Sequence, residues 1–166
     1  MNKKQKKFSK IYDSYVESIY RFISIKVSSQ EIAEDLTSEV FLKTWKSFQQ
    51  EAQIKNPRAY LYTTARHLVI DFYRTNKEVR TISIEDIKEI EDIAPPIEEQ
   101  ERQNASLEIV QQRLKALRED YQNVIVWRYM DGLSTGEIAK MLGKSKGATR
   151  VLLHRALEQL KEGIKG

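Results

Sequence analysis

Between Leu117 and Lys161 the chain alternates segments of helical spacing with glycines, an order that restricts this part of the sequence to few folds. Asp131-Gly132 and Gly143 each end a segment, because glycine adopts the left-handed conformation of a helix C-terminus at little cost. Ser134 begins the short segment between them and is followed three residues later by Glu137, the spacing of a capping box. The pattern predicts a helix-turn-helix whose last helix enters a DNA groove.

The last helix is predicted from about Lys146 to Lys161, and its first turns are rich in cations. The helix dipole favours acidic residues there, so a polyanionic partner would account for the basic ones. A recognition helix presents its N-terminal residues to bases and phosphates. The candidate DNA contacts are Lys144, Ser145, Lys146, Thr149, Arg150, His154 and Arg155, while the predicted inward residues are Leu153, Ala156, Leu157 and Leu160. The alternative is a pair of short helices that never contacts DNA.

Composition favours an all-α fold. The 166 residues include six glycines and three prolines, and no strand-length alternation of apolar and polar residues is convincing. The absence of cysteine excludes disulfides and thiolate metal sites, which suits a reducing cytosol. We find neither a secretory signal nor an apolar run of membrane-spanning length, so a cytoplasmic location is expected. Two histidines and scattered carboxylates form no credible catalytic set, so we predict no enzyme activity, no cofactor, no metal and no small-molecule substrate.

The charges are distributed unevenly along the chain. Residues 1–80 hold 15 Lys and Arg against nine Asp and Glu, and residues 107–166 hold 11 against seven. Residues 81–106 hold two against eight and contain Pro95-Pro96, a composition that disfavours a packed core. We therefore predict two small helical domains, 1–77 and 107–166, joined by a flexible acidic linker, 78–106. The alternative is an acidic helix that belongs to one of the domains.

Three helices are predicted in the first domain. Apolar residues at three- and four-residue spacing mark the first helix, from about Phe8 to Val27. Ser28 is the predicted cap of the second helix, which extends to about Phe48. The third helix begins with Asn56 as N-cap, followed by Pro57 at the first helical position, which proline favours. It is predicted to run to about Asn76.

The third helix carries two adjacent stripes at ~100° per residue. The natural core stripe consists of Leu61, Ala65, Leu68 and Phe72. The stripe beside it consists of Arg58, Tyr62, Arg66, Tyr73 and Lys77. Cations interleaved with aromatic rings suit single-stranded nucleic acid, since charge follows the backbone and rings stack on bases. The alternative is that Tyr62 and Tyr73 widen the core while the arginines are solvated.

The second helix combines an acidic half with an aromatic half. Its acids are Glu31, Glu34, Asp35 and Glu39, and its bulky apolar residues include Phe41, Trp45 and Phe48. Some of these aromatic side chains must pack on the other two helices. Acids around an apolar patch are also consistent with a protein-binding face.

Three segments, in this order, resemble an alternative bacterial sigma factor of the extracytoplasmic-function (ECF) group of the sigma-70 family. Residues 33–45, AEDLTSEVFLKTW, are similar to the region-two helix that grips core RNA polymerase. Residues 57–62, PRAYLY, and 65–74, ARHLVIDFYR, are similar to the helix that melts the −10 promoter element. Residues 117–160 are similar to region four, which reads the −35 element. The resemblance implies a factor that carries polymerase to promoters and performs no covalent chemistry.

The resemblance also implies three sets of site residues and the partners that they meet. The clamp coiled coil of the largest polymerase subunit would meet Asp35, Ser38, Glu39, Leu42 and Trp45. The −10 element would meet Gln49, Gln50, Asn56, Arg58, Tyr62, Arg66, His67, Tyr73 and Arg74. The −35 duplex would meet the candidate DNA contacts of the last helix. Further expected partners are the polymerase flap and an anti-sigma factor, for which family habit favours a membrane-anchored protein.

The chain departs from the family pattern at positions that bear on promoter choice. Ser38 stands where many members carry glutamine, and His67 stands where asparagine is common. Val151-Leu152 replaces a frequent Ser-Arg pair, which removes one cation. Two rival functions stay open on sequence grounds. A stand-alone helix-turn-helix regulator would bind duplex DNA tightly without polymerase, and a single-strand or RNA-binding module would use only the stripe of the third helix.

Overall fold

The structure, a computed structural model, describes residues 2–50, 54–76 and 109–165, and all regular secondary structure in these ranges is helical. This confirms the predicted all-α class. The described residues fall into two compact units, 2–76 and 109–165. The predicted linker lies outside the described residues, so its bounds and flexibility stay predictions. Within the described ranges, no helix combines the length and apolar character needed to span a membrane.

The first unit contains three helices that pack against one another pairwise: α1 (Lys3–Lys26), α2 (Gln30–Gln49) and α3 (Pro57–Thr75). Helix α1 begins five residues before the predicted start, because Asn2 forms a capping box with Gln5. The apolar pattern begins only at Phe8 and therefore does not mark this polar first turn.

The caps of the other two helices correct one prediction and confirm another. The N-cap of α2 is Ser29 and not Ser28, since the Ser29 hydroxyl accepts a hydrogen bond from the Ile32 amide at 3.1 Å. The Asn56 side chain caps α3 by accepting from the Ala59 amide at 3.2 Å, and Pro57 occupies the first helical position as predicted. Both caps satisfy amides that would otherwise lack a partner.

Aromatic rings hold α1 and α2 together. Phe8 packs against Trp45 with ring centroids 5.2 Å apart, and it also contacts the rings of Phe41 and Phe48. Phe41 and Phe48 are buried, and Tyr12 approaches Phe41 edge-on at 4.9 Å. The expectation that part of the α2 aromatic half packs on a neighbouring helix is confirmed.

The second unit has the predicted helix-turn-helix. Residues 109–116 are helical, and α4 (Glu119–Ile125) continues into a π-helical turn (Val126–Met130). Then follow α5 (Thr135–Leu142) and α6 (Lys146–Lys165), which reaches four residues beyond the predicted end at Lys161.

The glycine and capping-box predictions in this unit are confirmed. Gly132 and Gly143 have φ values of +69° and +65°, in the left-handed region that favours glycine. Ser134 and Glu137 form the capping box of α5. These caps fix where α5 starts and ends, and so set the entry of the chain into α6.

The core of the second unit holds α6 against α4 and α5. Leu153 and Ala156 are buried as predicted, but Leu157 and Leu160 are only half-buried. Leu152 is also buried, at 9% exposure, so the buried face of α6 is wider than predicted. The remaining buried apolar residues of this unit include Leu114, Val124, Ile125, Val126, Trp127, Leu133, Ile138 and Ala139.

Candidate nucleic-acid and polymerase interfaces

Helix α6 exposes a basic face opposite its buried one. Leu152, Leu153 and Ala156 point into the core, which leaves the other side of the helix open. The exposed members of the predicted DNA-binding set are Lys144, Ser145, Lys146, Arg150, His154 and Arg155. Their exposure follows from the cost of burying an unpaired charge. The four cations of this set, Lys144, Lys146, Arg150 and Arg155, are therefore on a surface that a polyanion can reach.

Thr149 is a correction to the predicted set. Its side chain is 0% exposed, and its hydroxyl donates to the Ser145 carbonyl oxygen at 2.8 Å. It therefore cannot meet DNA in this arrangement. Ser145 itself is exposed, but its hydroxyl accepts a hydrogen bond from the Ala148 amide at 3.1 Å. Both residues hold the first turn of α6 together.

Two of the exposed side chains have neighbours that shape the basic face. His154 Nε2 lies 3.1 Å from a carboxylate oxygen of Glu158, and both side chains are well exposed. The Lys146 stem lies against α5, since a Cβ placed on Gly136 would approach the Lys146 Cε at 3.1 Å. The ammonium of Lys146 thus lies near the helix-turn-helix corner, and Glu158 places a negative charge on the same exposed side as His154.

Tyr62, predicted to stack on a melted base, is instead a core residue. It is 0% exposed, and its ring meets Phe22 of α1 edge-on, with centroids 5.2 Å apart at an interplanar angle of 78°. At ~100° per residue, Tyr62 lies only about 60° from the fully buried Ala65, on the flank of the core stripe. The alternative that aromatics widen the core face of α3 is correct for Tyr62.

Tyr73 is half-buried and joins α3 to the end of α1. Its hydroxyl donates to the Lys26 carbonyl oxygen. Tyr60, for which no role was predicted, makes a comparable link, because its hydroxyl lies 2.7 Å from the Ser47 hydroxyl of α2. Neither contact could be read from the sequence, since each joins distant helices.

The remaining members of the −10 set are at least partly accessible. Arg58 and Arg66 are half-buried and have interactions of their own, whereas His67 and Arg74 are exposed. Gln49, Gln50 and Asn56 are also exposed, although the Asn56 side-chain oxygen caps α3. Residues 51–53 of the intervening loop and Lys77 lie outside the described residues.

Helix α2 exposes an acidic surface that is followed along the helix by accessible apolar side chains. Asp35, Ser38 and Glu39 are exposed, and Leu42 keeps 52% of its surface accessible. Trp45 is half-buried because one side of its ring packs on Phe8. Leu42 lies one turn after Glu39 and one turn before Trp45, and an apolar and aromatic area beside polar residues is compatible with a protein-binding surface. The five predicted polymerase contacts therefore lie on one helix with their side chains accessible in whole or part.

An open groove of about 270 Å³ adjoins this surface. Its walls come from α1 and α2 and include Ser38, so the groove is continuous with the acidic surface. The lining residues are Tyr12, Val16, Glu17, Tyr20, Glu34, Thr37 and Ser38. The described residues hold no group of three or more His, Asp and Glu side chains that could bind a metal ion.

An ion pair stabilises the start of α4. Arg118 Nε donates to Asp120 at 2.6 Å, and the guanidinium lies 4.3 Å from the centroid of the Tyr121 ring. The hydrogen bond from Arg118 lowers the pKa of the Asp120 carboxyl below its ordinary value. The carboxylate also lies in the first turn of α4, where the helix dipole favours negative charge.

Comparison with known proteins shows the family to which the chain is similar. The model for Sigma-70 region 2 matches residues 11–79, and the model for Sigma-70 region 4 matches residues 107–160. The chain is 32% identical over 157 residues to the ECF RNA polymerase sigma factor BldN of Streptomyces coelicolor, covering 92% of this chain and 58% of BldN. It is 26% identical over 159 residues to the ECF sigma factor SigX of Bacillus subtilis, covering 93% and 82%.

Two solved structures share the fold. The sigma factor RpoE of Bartonella quintana, solved in complex with the anti-sigma factor NepR, gives a TM-score of 0.65 at 21% identity, over 96% of this chain and 98% of RpoE. CnrH, solved in complex with the cytosolic domain of CnrY, gives 0.66 at 18% identity, over 95% and 87%. At these identities the likeness concerns the fold.

The chain belongs to the sigma-70 family, in the ECF group, because both conserved regions match in the expected order and the relatives are ECF sigma factors. A sigma factor binds core RNA polymerase and promoter DNA and directs initiation at specific promoters. The predicted family and function are thereby confirmed, and the stand-alone regulator is not favoured.

Proposed function

We propose that the two units divide the work of promoter-specific initiation between three helices. Helix α6 reads the −35 duplex, α3 and the end of α2 contact the melted −10 element, and the exposed side of α2 binds core polymerase. The observation that carries this proposal is the basic face of α6, presented by a helix-turn-helix whose corner is fixed by Gly143. A cationic helix of this kind suits the major groove of duplex DNA.

For the −35 element, the proposed contacts are the exposed cations of α6 and the turn before it. Arg150 and Arg155 are long enough to reach base edges or phosphates from the exposed face, and Lys144 and Lys146 extend this charge to the corner. Lysine and arginine on phosphates supply affinity, whereas base contacts supply sequence preference. Thr149 contributes only by holding the first turn of the helix.

For the −10 element, the proposed set omits Tyr62 because its ring is enclosed by the core. His67 and Arg74 are the members of the set on α3 that are exposed, and Gln49, Gln50 and Asn56 lie near the α2–α3 connection. Arg58, Arg66 and Tyr73 are half-buried and offer part of their surface. Hydrogen-bonding groups of this kind suit unpaired bases, whose edges are free for recognition.

For polymerase, the proposed contact is the acidic surface of α2 together with Leu42 and Trp45, which follow it along the helix. Asp35 and Glu39 supply charge, and Leu42 with the accessible part of Trp45 supplies apolar area. We also propose a flap contact for the second unit, a cytoplasmic location, and no catalysis by this chain.

We further propose that an anti-sigma factor, membrane-anchored as in much of the family, holds this chain inactive. Support comes from the α1–α2 groove, which adjoins the surface proposed for polymerase. A protein bound over the groove and Ser38 would compete directly with polymerase. The fold neighbour RpoE was solved with the anti-sigma factor NepR, and CnrH was solved with the cytosolic domain of CnrY, which supports this proposal for a chain of the same fold.

The division of labour is tested by measuring DNA binding with and without core bacterial polymerase. We expect weak binding of promoter DNA by the chain alone and tight, promoter-dependent binding once core polymerase is added. Tight specific binding by the chain alone would instead support a stand-alone regulator. If deletion of residues 107–166 left nucleic-acid binding intact, a single-strand module based on α3 would be favoured.

A substitution in α2 tests the polymerase contact separately. Asp35→Ala should lower the affinity for core polymerase by about threefold to tenfold, because an interfacial charge on an exposed rim contributes modestly. Asp35 is exposed, so thermal unfolding should not change. Asp13→Ala, at an exposed position of α1, is the matched control. An unchanged affinity in Asp35→Ala would remove this residue from the interface.

A further inference from the structure

The basic face of α6 contains a small apolar patch of three residues. Gly147, Ala148 and Val151 are all exposed, and Val151 keeps 50% of its surface accessible. At ~100° per residue, Gly147 lies about 40° to one side of Val151 and Ala148 about 60° to the other. The three residues therefore form one continuous patch, which we call the α6 notch.

Two arginines and a histidine border the notch. Arg155 lies about 40° from Val151 around the helix, His154 about 60° and Arg150 about 100°. All three are exposed. Val151 is about 140° from the fully buried Ala156, so it points away from the core. An apolar group in this position meets whatever the neighbouring cations meet.

The packing of the protein does not require glycine at position 147. A Cβ at this position would meet only the Ser145 hydroxyl oxygen, at 4.0 Å, which is ordinary contact. Among the described glycines, only Gly132 and Gly143 have a positive φ, so position 147 has no conformational need for glycine either. Glycine within a helix weakens it relative to alanine. The bare backbone here leaves room for an external group beside Val151.

We propose that the α6 notch receives the 5-methyl group of a thymine in the −35 duplex, with Val151 as its main contact. Thymine is the one base that presents a methyl group in the major groove, and small apolar side chains are its usual partners. The bordering cations favour a polyanion over an apolar protein segment as the occupant. This inference rests on the proposed role of α6 at the −35 element.

The notch accounts for the departure at Val151, where a serine is frequent in the family. Valine replaces a hydroxyl, which can hydrogen-bond to any of several bases, with two methyl groups that can only make apolar contact. The substitution therefore narrows the base choice at one position to thymine. It also explains why an apolar residue occupies an exposed position between charged neighbours.

Replacing thymidine with deoxyuridine tests whether the notch contacts the methyl group, because deoxyuridine lacks only the 5-methyl group of thymine and keeps the same pairing edge. Run-off transcription with core polymerase first identifies promoters that depend on this chain. Each thymine of the −35 duplex is then replaced singly by deoxyuridine, and the formation of open complexes by the holoenzyme is titrated. At one position we expect affinity to fall by about fourfold, the effect of one methyl group removed from an apolar contact.

Variants identify the residue that senses the methyl group. Val151→Ala should bind the thymine and deoxyuridine templates equally well, whereas Val110→Ala, an exposed valine outside α6, should keep the fourfold difference. Gly147→Ala should fold at least as stably as the wild type but lose affinity for the thymine template. Stability is read from thermal unfolding of each full-length variant.

Three results would overturn the proposal that the notch receives a thymine methyl group. The wild type could bind equally well with deoxyuridine at every −35 position, or Val151→Ala could keep the full loss of affinity caused by deoxyuridine. The third result is an affinity of Gly147→Ala for the thymine template equal to that of the wild type. An effect of Val151→Ala on polymerase binding without DNA would identify the patch as a protein contact instead. If the first step finds no promoter that depends on this chain, the proposed function itself is rejected, a failure that differs from these.

Discussion

Helices α3 and α6 were both predicted to bind nucleic acid through a set of cationic side chains. The two sets differ in how far their residues are exposed. Every cation predicted on α6 is exposed. On α3 the stripe lies along the edge of the core, where Tyr62 is fully buried and Arg58 and Arg66 are half-buried. Each helix packs on two others, α6 on α4 and α5 and α3 on α1 and α2, so the difference lies in how far each stripe is from the packed side of its helix.

The difference shows which residue types indicate an exposed binding surface when only the sequence is known. A charged side chain is costly to bury, so a cluster of lysines and arginines indicates an exposed face. A tyrosine carries a large apolar body and a polar tip, so it serves equally well in a core or at an interface. Aromatic residues between cations therefore predict a nucleic-acid surface less securely than the cations themselves.

The largest effect is expected on stability, from a substitution of Tyr62 in α3. Tyr62→Ala should lower the free energy of unfolding of the full chain by about 3–5 kcal/mol, because it removes a fully buried ring that packs on Phe22. Chemical denaturation followed by circular dichroism measures this change. A stable Tyr62→Ala variant with impaired promoter melting would show that the tyrosine acts on DNA after all.

The next effect concerns α6. Arg150→Ala should weaken promoter binding by the holoenzyme by about 1–3 kcal/mol and relax base preference if the guanidinium meets a base. If the guanidinium meets a phosphate, the slope of log affinity against log salt concentration should decrease in magnitude by about one. Lys140→Ala, an exposed cation on α5, is the control. Unchanged binding at all salt concentrations would exclude Arg150 from the interface.

A smaller effect of opposite sign is expected at Glu158. Its carboxylate lies on the exposed side of α6, 3.1 Å from His154, and repels phosphate groups. Glu158→Gln should therefore strengthen promoter binding by up to about 1 kcal/mol at low salt, with less gain as salt rises. Weaker binding in this variant would mean that Glu158 positions His154 for a DNA contact. Titration of promoter DNA at two salt concentrations distinguishes the outcomes.

The smallest effect is a pH dependence of stability in the second unit. Arg118 lowers the pKa of Asp120 in the folded state, so the folded carboxylate binds its proton less readily than the unfolded one. Its contribution to stability is therefore present above the ordinary pKa of 3.8 and is lost as pH falls through the lower folded pKa. Asp120→Asn should be less stable than the wild type at pH 7, and the difference should vanish in acid.

Acid denaturation curves of both proteins, followed by helical circular dichroism, measure this difference. Glu162→Gln, at an exposed position of α6, controls for a general loss of negative charge. A difference between Asp120→Asn and the wild type that persists at the lowest pH would show that Asp120 stabilises α4 by a route other than its charge.

Local signals in the sequence predicted much of the second unit. The left-handed glycines, the capping box at Ser134 and the start of α6 each depend on a few neighbouring residues, and each is observed where it was predicted. Thr149 was misassigned because its hydroxyl could serve either DNA or the preceding turn. The choice depends on how α6 rotates against α4 and α5, which no local pattern specifies.

The first unit was harder to predict at the level of side chains. Asn56 and Pro57 marked the start of α3 correctly, yet the predicted cap of α2, Ser28, was one residue away from the observed cap, Ser29. The burial of Tyr62 and the links made by Tyr60 and Tyr73 depend on contacts between helices. Such contacts arise from packing and leave no short-range signal in the sequence.

Run-off transcription is the most direct test of whether these two units together direct polymerase to specific promoters. Purified core bacterial RNA polymerase is incubated with this chain and sheared genomic DNA from its source. We predict discrete start sites that appear only when the chain is present, with shared sequences near −10 and −35 once the starts are aligned. Failure of the chain to bind core polymerase, with no new start sites, would contradict the account.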